Sequence, residues 1–341
     1  MPVLIKKYKE SNIKEIDIIT KLDLIGIPKI LYFDSKFYRT FSIFEYSDRV
    51  TYLTKNELKQ YTDLILFLIE QKIYFKNFNP INIRRKNNQI KLVNLFDNDW
   101  FGWYPNNLDC SIQIKMVMSV GIIIHYFLTG YHPFDINKSP MNFIFLKNKN
   151  LIQNIKVENI LKLKKYTNAD TLVLDENMTT QKYLIRLSDP LRHDLIYHTI
   201  KQRTTIKKLS KHPYFWSHER IFLFLANYSD VLEGSISACK KLERNKSRIF
   251  DSSWNTPLDT LIKDELSIFR NYNYNNAKDL VRVIRNSGRH YNQIPEVLKE
   301  FYGQFPVGFV NYWTKLFPGL LIVCYNCGES LKDNELLSDY Y

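Results

Sequence analysis

Cysteine is nearly absent, with four in 341 residues, at 110, 239, 324 and 327. So sparse and uneven a set excludes a disulfide framework. The closing Cys324-Tyr-Asn-Cys327 is a lone C-x-x-C without a second pair or a histidine partner, so idle thiols are expected there and no metal. Long apolar runs are missing too: no window approaches the roughly eighteen uninterrupted apolar residues that a membrane-spanning helix needs. The opening MPVLIKKYKES lacks the apolar core and small-residue cleavage site of a secretory leader. A soluble, cytoplasmic protein with no membrane partner is expected. Neither an internal repeat nor a low-complexity linker interrupts the chain.

What is present is ample core material: 45% of residues are hydrophobic and 15% aromatic, enough for one large domain or two ordinary ones. The formal charge of +13 points to polyanionic partners. The excess lies in residues 1–212, whereas 213–341 carries fifteen charges of each sign. Within that balanced part, Arg270, Lys278, Arg282, Arg285 and Arg289 stand against Asp279 alone, and Glu329, Asp333, Glu335 and Asp339 close the chain against Lys332. A compact positive spot is therefore expected near 270–290, and an acidic tail over 332–341. The basic runs LKNKNLIQNIKVENILKLKK and IKQRTTIKKLSK are read as solvated faces.

The first forty-five residues alternate β-rich pieces (PVLIKKY, PKILYFD, FYRTFSIFEY) with one helical stretch, NIKEIDIITKLD. From residue 56 the pattern turns helical: Leu58, Tyr61, Leu64, Ile65 and Leu68 recur at helical spacing in NELKQYTDLILFLIEQK. After KHPYFW the chain reads as helical to its end, with breaks near Gly234, Asn255-Thr256-Pro257, Ser287-Gly288, Pro295 and Phe305-Pro306. Phe215, Trp216, Trp254, Tyr312 and Trp313 read as packing residues, and His212 as part of a domain junction.

YFKNFNPINIRR resembles the protein-kinase catalytic loop, IKLVNLFD the strand leading into the metal-binding D-F-G loop, and LTGYHPFD with LSKHPYFW the late helices of a kinase. In that resemblance Phe75-Lys76-Asn77 stands for His-Arg-Asp, Asn79 for the lysine and Asn94 for the D-F-G aspartate, while Asn82 keeps the asparagine. A shifted match brings Asp97 to the metal position. VLIK, ending in Lys6, resembles the third-strand lysine motif, with Glu15 as its helical partner. Phosphoryl transfer needs a carboxylate to accept the hydroxyl proton, acidic Mg²⁺ ligands and a glycine-rich cover for the phosphates. Asn77 has no basic lone pair, Asn94 is a neutral and poorer Mg²⁺ ligand, and the glycine-rich strands are missing. The expectation is a degenerate kinase fold kept as a scaffold. Lys6, Glu15 and Asn82 are the residues through which a nucleotide would bind without turnover; neither nucleotide nor any other cofactor is expected.

The later landmarks are HPYFWSHERIFLFLANYSDVLEG, WNTPLDTLIKDELSIFRNY, KDLVRVIRNSGRHY and GQFPVGFVNYWTKLFPGLL. They resemble, in order, the kinase-extension nuclease (KEN) domain of the inositol-requiring endoribonuclease and ribonuclease L family. The resemblance implies an α+β chain: a truncated bilobal kinase-like domain over 1–211, with a small mixed lobe and a helical lobe, then an all-α ribonuclease domain over 212–331. It also implies a metal-independent endoribonuclease acting on RNA as a homodimer, or as a heterodimer with a related kinase-ribonuclease. Carried onto matching positions, the catalytic set is Tyr272, Arg285, Asn286 and His290.

Chemistry explains why such a set suffices, because an RNA 2′-hydroxyl is already held beside its own phosphate. His290 is expected to donate a proton to the departing 5′-oxygen. Tyr272 is expected near the 2′-hydroxyl as base or orienter. Arg285 offers a planar fork to the phosphate oxygens, and Asn286 a neutral donor. Arg282, Arg289, Tyr274, Asn275 and Tyr291 are the expected RNA contacts. The products would be a 2′,3′-cyclic phosphate and a 5′-hydroxyl. The alternative is a non-cleaving partner that binds RNA or a related kinase-ribonuclease.

Overall fold

In the computed structural model, residues 47–95, 103–105, 110–129, 189–200, 204–269 and 271–341 are described, together with the backbone of five short strands. The chain divides into two units, residues 1–188 with 195–210, and 189–194 with 211–341. Among the described residues most of the structure is helical, and no single helix is long and apolar enough to cross a membrane.

In the first unit, the three β-rich pieces form an antiparallel sheet in the order Val3–Tyr8, Thr40–Glu45, Ile30–Asp34. Lys6 lies opposite Ser42 in its register. The expected helix over NIKEIDIITKLD, Glu15 included, lies outside the described residues. A second antiparallel sheet joins Asp48–Arg49, Ile83–Lys86 and Gln89–Leu92. Its hairpin turns on Asn87 and Asn88, both at left-handed φ (49° and 60°), which asparagine tolerates and which matches the strand twist.

Helix Lys55–Glu70 starts at a capping box, in which the Thr54 hydroxyl accepts from the Glu57 amide and the Glu57 carboxylate accepts from the Thr54 amide. It buries Leu58, Tyr61, Ile65 and Leu68, while Leu64 sits at the margin. Glu57 also accepts two hydrogen bonds from Arg85, tying helix to hairpin.

The second unit is built on helices His218–Gly234 and Ala277–Arg289, which pack against each other. Around them lie Ile236–Arg244, Thr260–Phe269, Glu296–Tyr302, Val307–Leu316 and Leu320–Gly328. Trp216, Trp254 and Trp313 are buried in its core. Cys324 and Cys327 are buried free thiols, and burial pushes Cys324 well up. Helices stop at Gly234, and chain breaks fall at Pro295 and Phe305-Pro306.

Three features of this unit refine what the sequence suggests. Asp189–Asp194 belongs to it, although a linear division at 211 leaves that piece in the first unit. His212 explains the attachment: Nδ1 accepts from the Tyr214 amide, Nε2 meets Asp194 Oδ2 at 3.3 Å, and Asn326 donates to Asp194 Oδ1. The acidic tail over 332–341 packs on the unit: Leu337 and Tyr340 are buried in the core and Arg220 donates to the Asp339 carbonyl.

The helix Ala277–Arg289, finally, ends one residue past the expected break at Ser287-Gly288. Gly288 sits inside Ala277–Arg289, and a Cβ there would lie 2.1 Å from the ring of Phe222. The glycine is a packing residue, admitting Phe222 against the helix backbone. Gly288→Ala is expected to destabilise the unit by about 1–3 kcal/mol through overpacking. Chemical denaturation of the two proteins measures this; equal midpoints would contradict it.

Candidate active site

The arginine-rich helix Ala277–Arg289 begins at Asn276, whose side chain accepts from the Lys278 amide, as does the Glu243 carboxylate. Ala277, Leu280, Val281, Ile284 and Gly288 repeat at helical spacing and are buried with Val283. Its cations are thereby confined to the helix margin beside His218–Gly234.

The preceding loop is fixed by backbone contacts. Trp254 donates its indole N–H to the Asn273 carbonyl (3.2 Å) and its amide to the Tyr274 carbonyl (3.0 Å), and Asp279 accepts from the Asn273 amide (2.8 Å). The loop in turn sets Tyr272, whose ring meets Trp254 edge-on. Its hydroxyl oxygen accepts a 3.1 Å hydrogen bond from Asn286 Nδ2. On the other side of the same amide, Asn286 Oδ1 accepts from Arg285 Nε (3.1 Å) and Nη2 (3.0 Å). Tyr272, Asn286 and Arg285, proposed together from the sequence, are thus joined in one hydrogen-bonded run.

His290 caps the helix, its amide donating to the Asn286 carbonyl at 3.0 Å, so the imidazole lies one turn beyond Asn286. It is exposed, and no described side chain pairs with its ring. The helix end is held from below by an aromatic cluster in which Tyr291 packs on Phe305 and Phe309, and Phe222 on both.

The expected RNA contacts fare unevenly. Arg282 is only 11% exposed and is bonded to Glu233 and Asp279. Tyr274 meets Trp254 edge-on at 4.9 Å, Tyr291 donates its hydroxyl to the Gly303 carbonyl, and both are partly exposed. Asn275 and Arg289 are exposed. Arg270 lies outside the described residues.

The compact positive spot is also not bare. Helix His218–Gly234 presents two carboxylates three residues apart: Glu233 to Lys278 and Arg282, and Asp230 to Arg285 and Arg289. Charge counting along the sequence misses them because they are some fifty residues distant from their partners. The hydrogen bond from Arg282, aided by Lys278, holds the Glu233 carboxyl at about 2, below its usual 4.5. A depressed carboxyl contributes stability above its unfolded value and loses it as pH falls toward the folded one. Glu233→Gln should therefore flatten the acid-unfolding curve between pH 4.5 and about 2; an unchanged slope over that interval would contradict this.

In the first unit, Asn77, Asn82 and Asn94 come together. Asn77 donates to the Asn94 carbonyl, Asn82 Nδ2 to the Asn77 carbonyl (3.4 Å), and Asn94 Nδ2 to Asn82 Oδ1 (3.3 Å). Asn94 takes a left-handed φ of 57°. The Asn77 Oδ1 is buried without a partner among the described residues. Asn79 caps the short turn after it, accepting from the Ile81 amide. Lys6 has a described backbone only, and Asp97 lies outside the described residues. No cluster of three or more His, Cys, Asp or Glu able to hold a metal ion occurs among the described residues.

The chain is similar in sequence to several known proteins. Residues 221–341 match the model of the family described as ribonuclease 2-5A. A serine/threonine-protein kinase/endoribonuclease IRE1 of Oryza sativa subsp. japonica is 29% identical over 247 residues, 70% of this chain and 24% of that protein. The sensor for unfolded proteins in the ER ire1 of Schizosaccharomyces pombe is 32% identical over 145 residues, 41% of this chain and 14% of that protein. The serine/threonine-protein kinase/endoribonuclease IRE2 of Homo sapiens is 30% identical over 142 residues, 41% and 15% of the two chains. The chain spans about a quarter or less of the length of these relatives. Residues 221–341, which carry the Tyr272–Asn286–Arg285 run and His290, therefore match the ribonuclease 2-5A family, and similarity to kinase/endoribonucleases extends over 70% of the chain.

Proposed function

We propose that the chain is a metal-independent endoribonuclease that cleaves single-stranded or looped RNA. The supporting observation is the hydrogen-bonded run from Tyr272 through Asn286 to Arg285, one helical turn from the exposed imidazole of His290. The 2′-hydroxyl, oriented by Tyr272, gives its proton to solvent water as its oxygen attacks the adjacent phosphorus; the bond from phosphorus to the 5′-oxygen breaks as His290 delivers a proton to that oxygen. Arg285 and Asn286 offset the charge gathering on the phosphate. A 2′,3′-cyclic phosphate and a 5′-hydroxyl are left, and no metal takes part.

The first unit acts in this reading as a kinase-like scaffold without phosphoryl transfer, pairing the chain with a second copy or with a related kinase-ribonuclease in the cytoplasm. Supporting this are Asn77, Asn82 and Asn94, neutral side chains linked through one amide pair and two backbone carbonyls; by resemblance they occupy positions where the reaction needs a carboxylate base and metal ligands.

The test is incubation of the protein with a uridine-rich single strand and a stem-loop in EDTA. Cleavage with cyclic-phosphate ends is expected, lost by about 10²–10⁴-fold in His290→Ala. RNA binding without cleavage would overturn the enzymatic reading in favour of a non-cleaving partner. Sedimentation across the same concentrations should show activity rising with the dimer.

A further inference from the structure

Asp230 has no place in the reaction proposed above, yet it holds two guanidinium groups of the arginine-rich helix. Its Oδ1 accepts from Arg285 Nη1 at 2.7 Å and from Arg289 Nη1 at 3.3 Å, and its Oδ2 accepts from Arg289 Nη2. Arg285 is thereby gripped from two sides, by Asp230 at Nη1 and by Asn286 Oδ1 at Nε and Nη2. Of its five N–H donors three are used, which leaves one on each terminal nitrogen. From this geometry we infer that Asp230 is a positioning residue for RNA cleavage: it orients the Arg285 guanidinium toward the scissile phosphate and uses Arg289 as the counter-cation that keeps the site net positive.

The electrostatics give this role content. Arg285 and Arg289 are four residues apart on one helix, a spacing at which like charges repel. One carboxylate between them removes the repulsion and leaves a single net positive charge to meet a phosphate. The side chains are graded in exposure: Arg285 is 16% exposed and held, whereas Arg289 is 46% exposed and open to solvent on its outer side. Asp230 therefore trades affinity for orientation. Without it, two free guanidinium groups would attract the RNA backbone more strongly, but Arg285 would no longer be fixed for the moment when charge builds on the phosphate.

A merely structural carboxylate predicts a different outcome from a positioning one. In Asp230→Asn, kcat is expected to fall at least tenfold while KM stays level or drops. Binding of a 2′-O-methyl, uncleavable version of the uridine-rich strand should depend more steeply on salt, by about 0.7 in the log–log slope for each extra phosphate engaged. Asp230→Glu, which keeps the charge, should retain the wild-type slope and recover part of kcat. Wild-type kcat and slope in Asp230→Asn would overturn the inference, and so would a rise in KM with kcat unchanged.

Should Asp230→Asn fail to fold, the wild-type chain carries the test in its Arg285 side-chain ¹⁵N resonances. Rotation about the Cζ–Nε bond is expected to be slowed by the two-sided grip, and free rotation would overturn the proposal. The inference rests on the endoribonuclease reading, but the two fail separately. A wild-type chain that binds RNA without cutting it refutes that reading, whereas the salt slope and the guanidinium rotation still judge the Asp230 grip.

Discussion

The contact between helices His218–Gly234 and Ala277–Arg289 is the constraint on which the second unit turns. Its apolar half is ordinary packing, with Leu280, Val281 and Ile284 fully buried and Phe222 pressed against the bare backbone of Gly288. The polar half matters to chemistry. The arginine-rich helix has to bury one face while keeping four cations along its edge, and two carboxylates on the facing helix make that arrangement tolerable. Each pair is partly exposed, so none contributes much stability by itself. Their value lies in fixing direction: once Leu280 and Ile284 set the helix rotation, the ion pairs fix where each guanidinium points, and the helix end places His290.

The first unit illustrates the opposite use of polar groups. Asn77 and Asn82 are buried, and burial of a carboxylate at either place would demand a cation or a protonated acid. Amides remove that demand. They hydrogen-bond to one another and to backbone carbonyls, so the cluster is held together without a charge. The hairpin and helix beneath are secured by Glu57, which serves as capping-box partner and as acceptor for Arg85.

What the sequence makes legible is whatever has a short period or a short motif. The stripe of Leu58, Tyr61, Ile65 and Leu68 predicts its helix, and the family resemblance, carried by the run from Asp279 to Tyr291 and by the FRNY before it, implies Tyr272, Arg285, Asn286 and His290. What escapes is set by contacts between distant segments. Gly288 reads as a break, since nothing local reveals that Phe222 occupies the space of its missing side chain. Arg282 reads as a free cation because Glu233 is forty-nine residues away. Tyr274 and Tyr291 read as base readers because an aromatic ring looks the same in sequence whether it packs on Trp254 or on a nucleobase. Asp230 is invisible for the same reason, being one acid in a helix whose face cannot be assigned before its partner is known.

The amide of Asn286 also narrows the choice of role for Tyr272 in the proposed reaction. The phenol oxygen receives a hydrogen bond from Nδ2, so one of its lone pairs is occupied and its own proton is directed elsewhere. An oxygen so engaged is suited to donating to a phosphate oxygen or to orienting the 2′-hydroxyl, and less suited to removing a proton. The carbonyl side of the same amide faces the Arg285 fork, so the orientation of one side chain couples the two. Rotating the Asn286 amide by half a turn would set its donors against the arginine and its acceptor against the phenol, breaking both contacts at once. Neither a hydrophobic side chain nor a carboxylate offers a donor on one side and an acceptor on the other. Asparagine does, which gives a physical reason for an uncharged residue at the centre of the proposed RNA site.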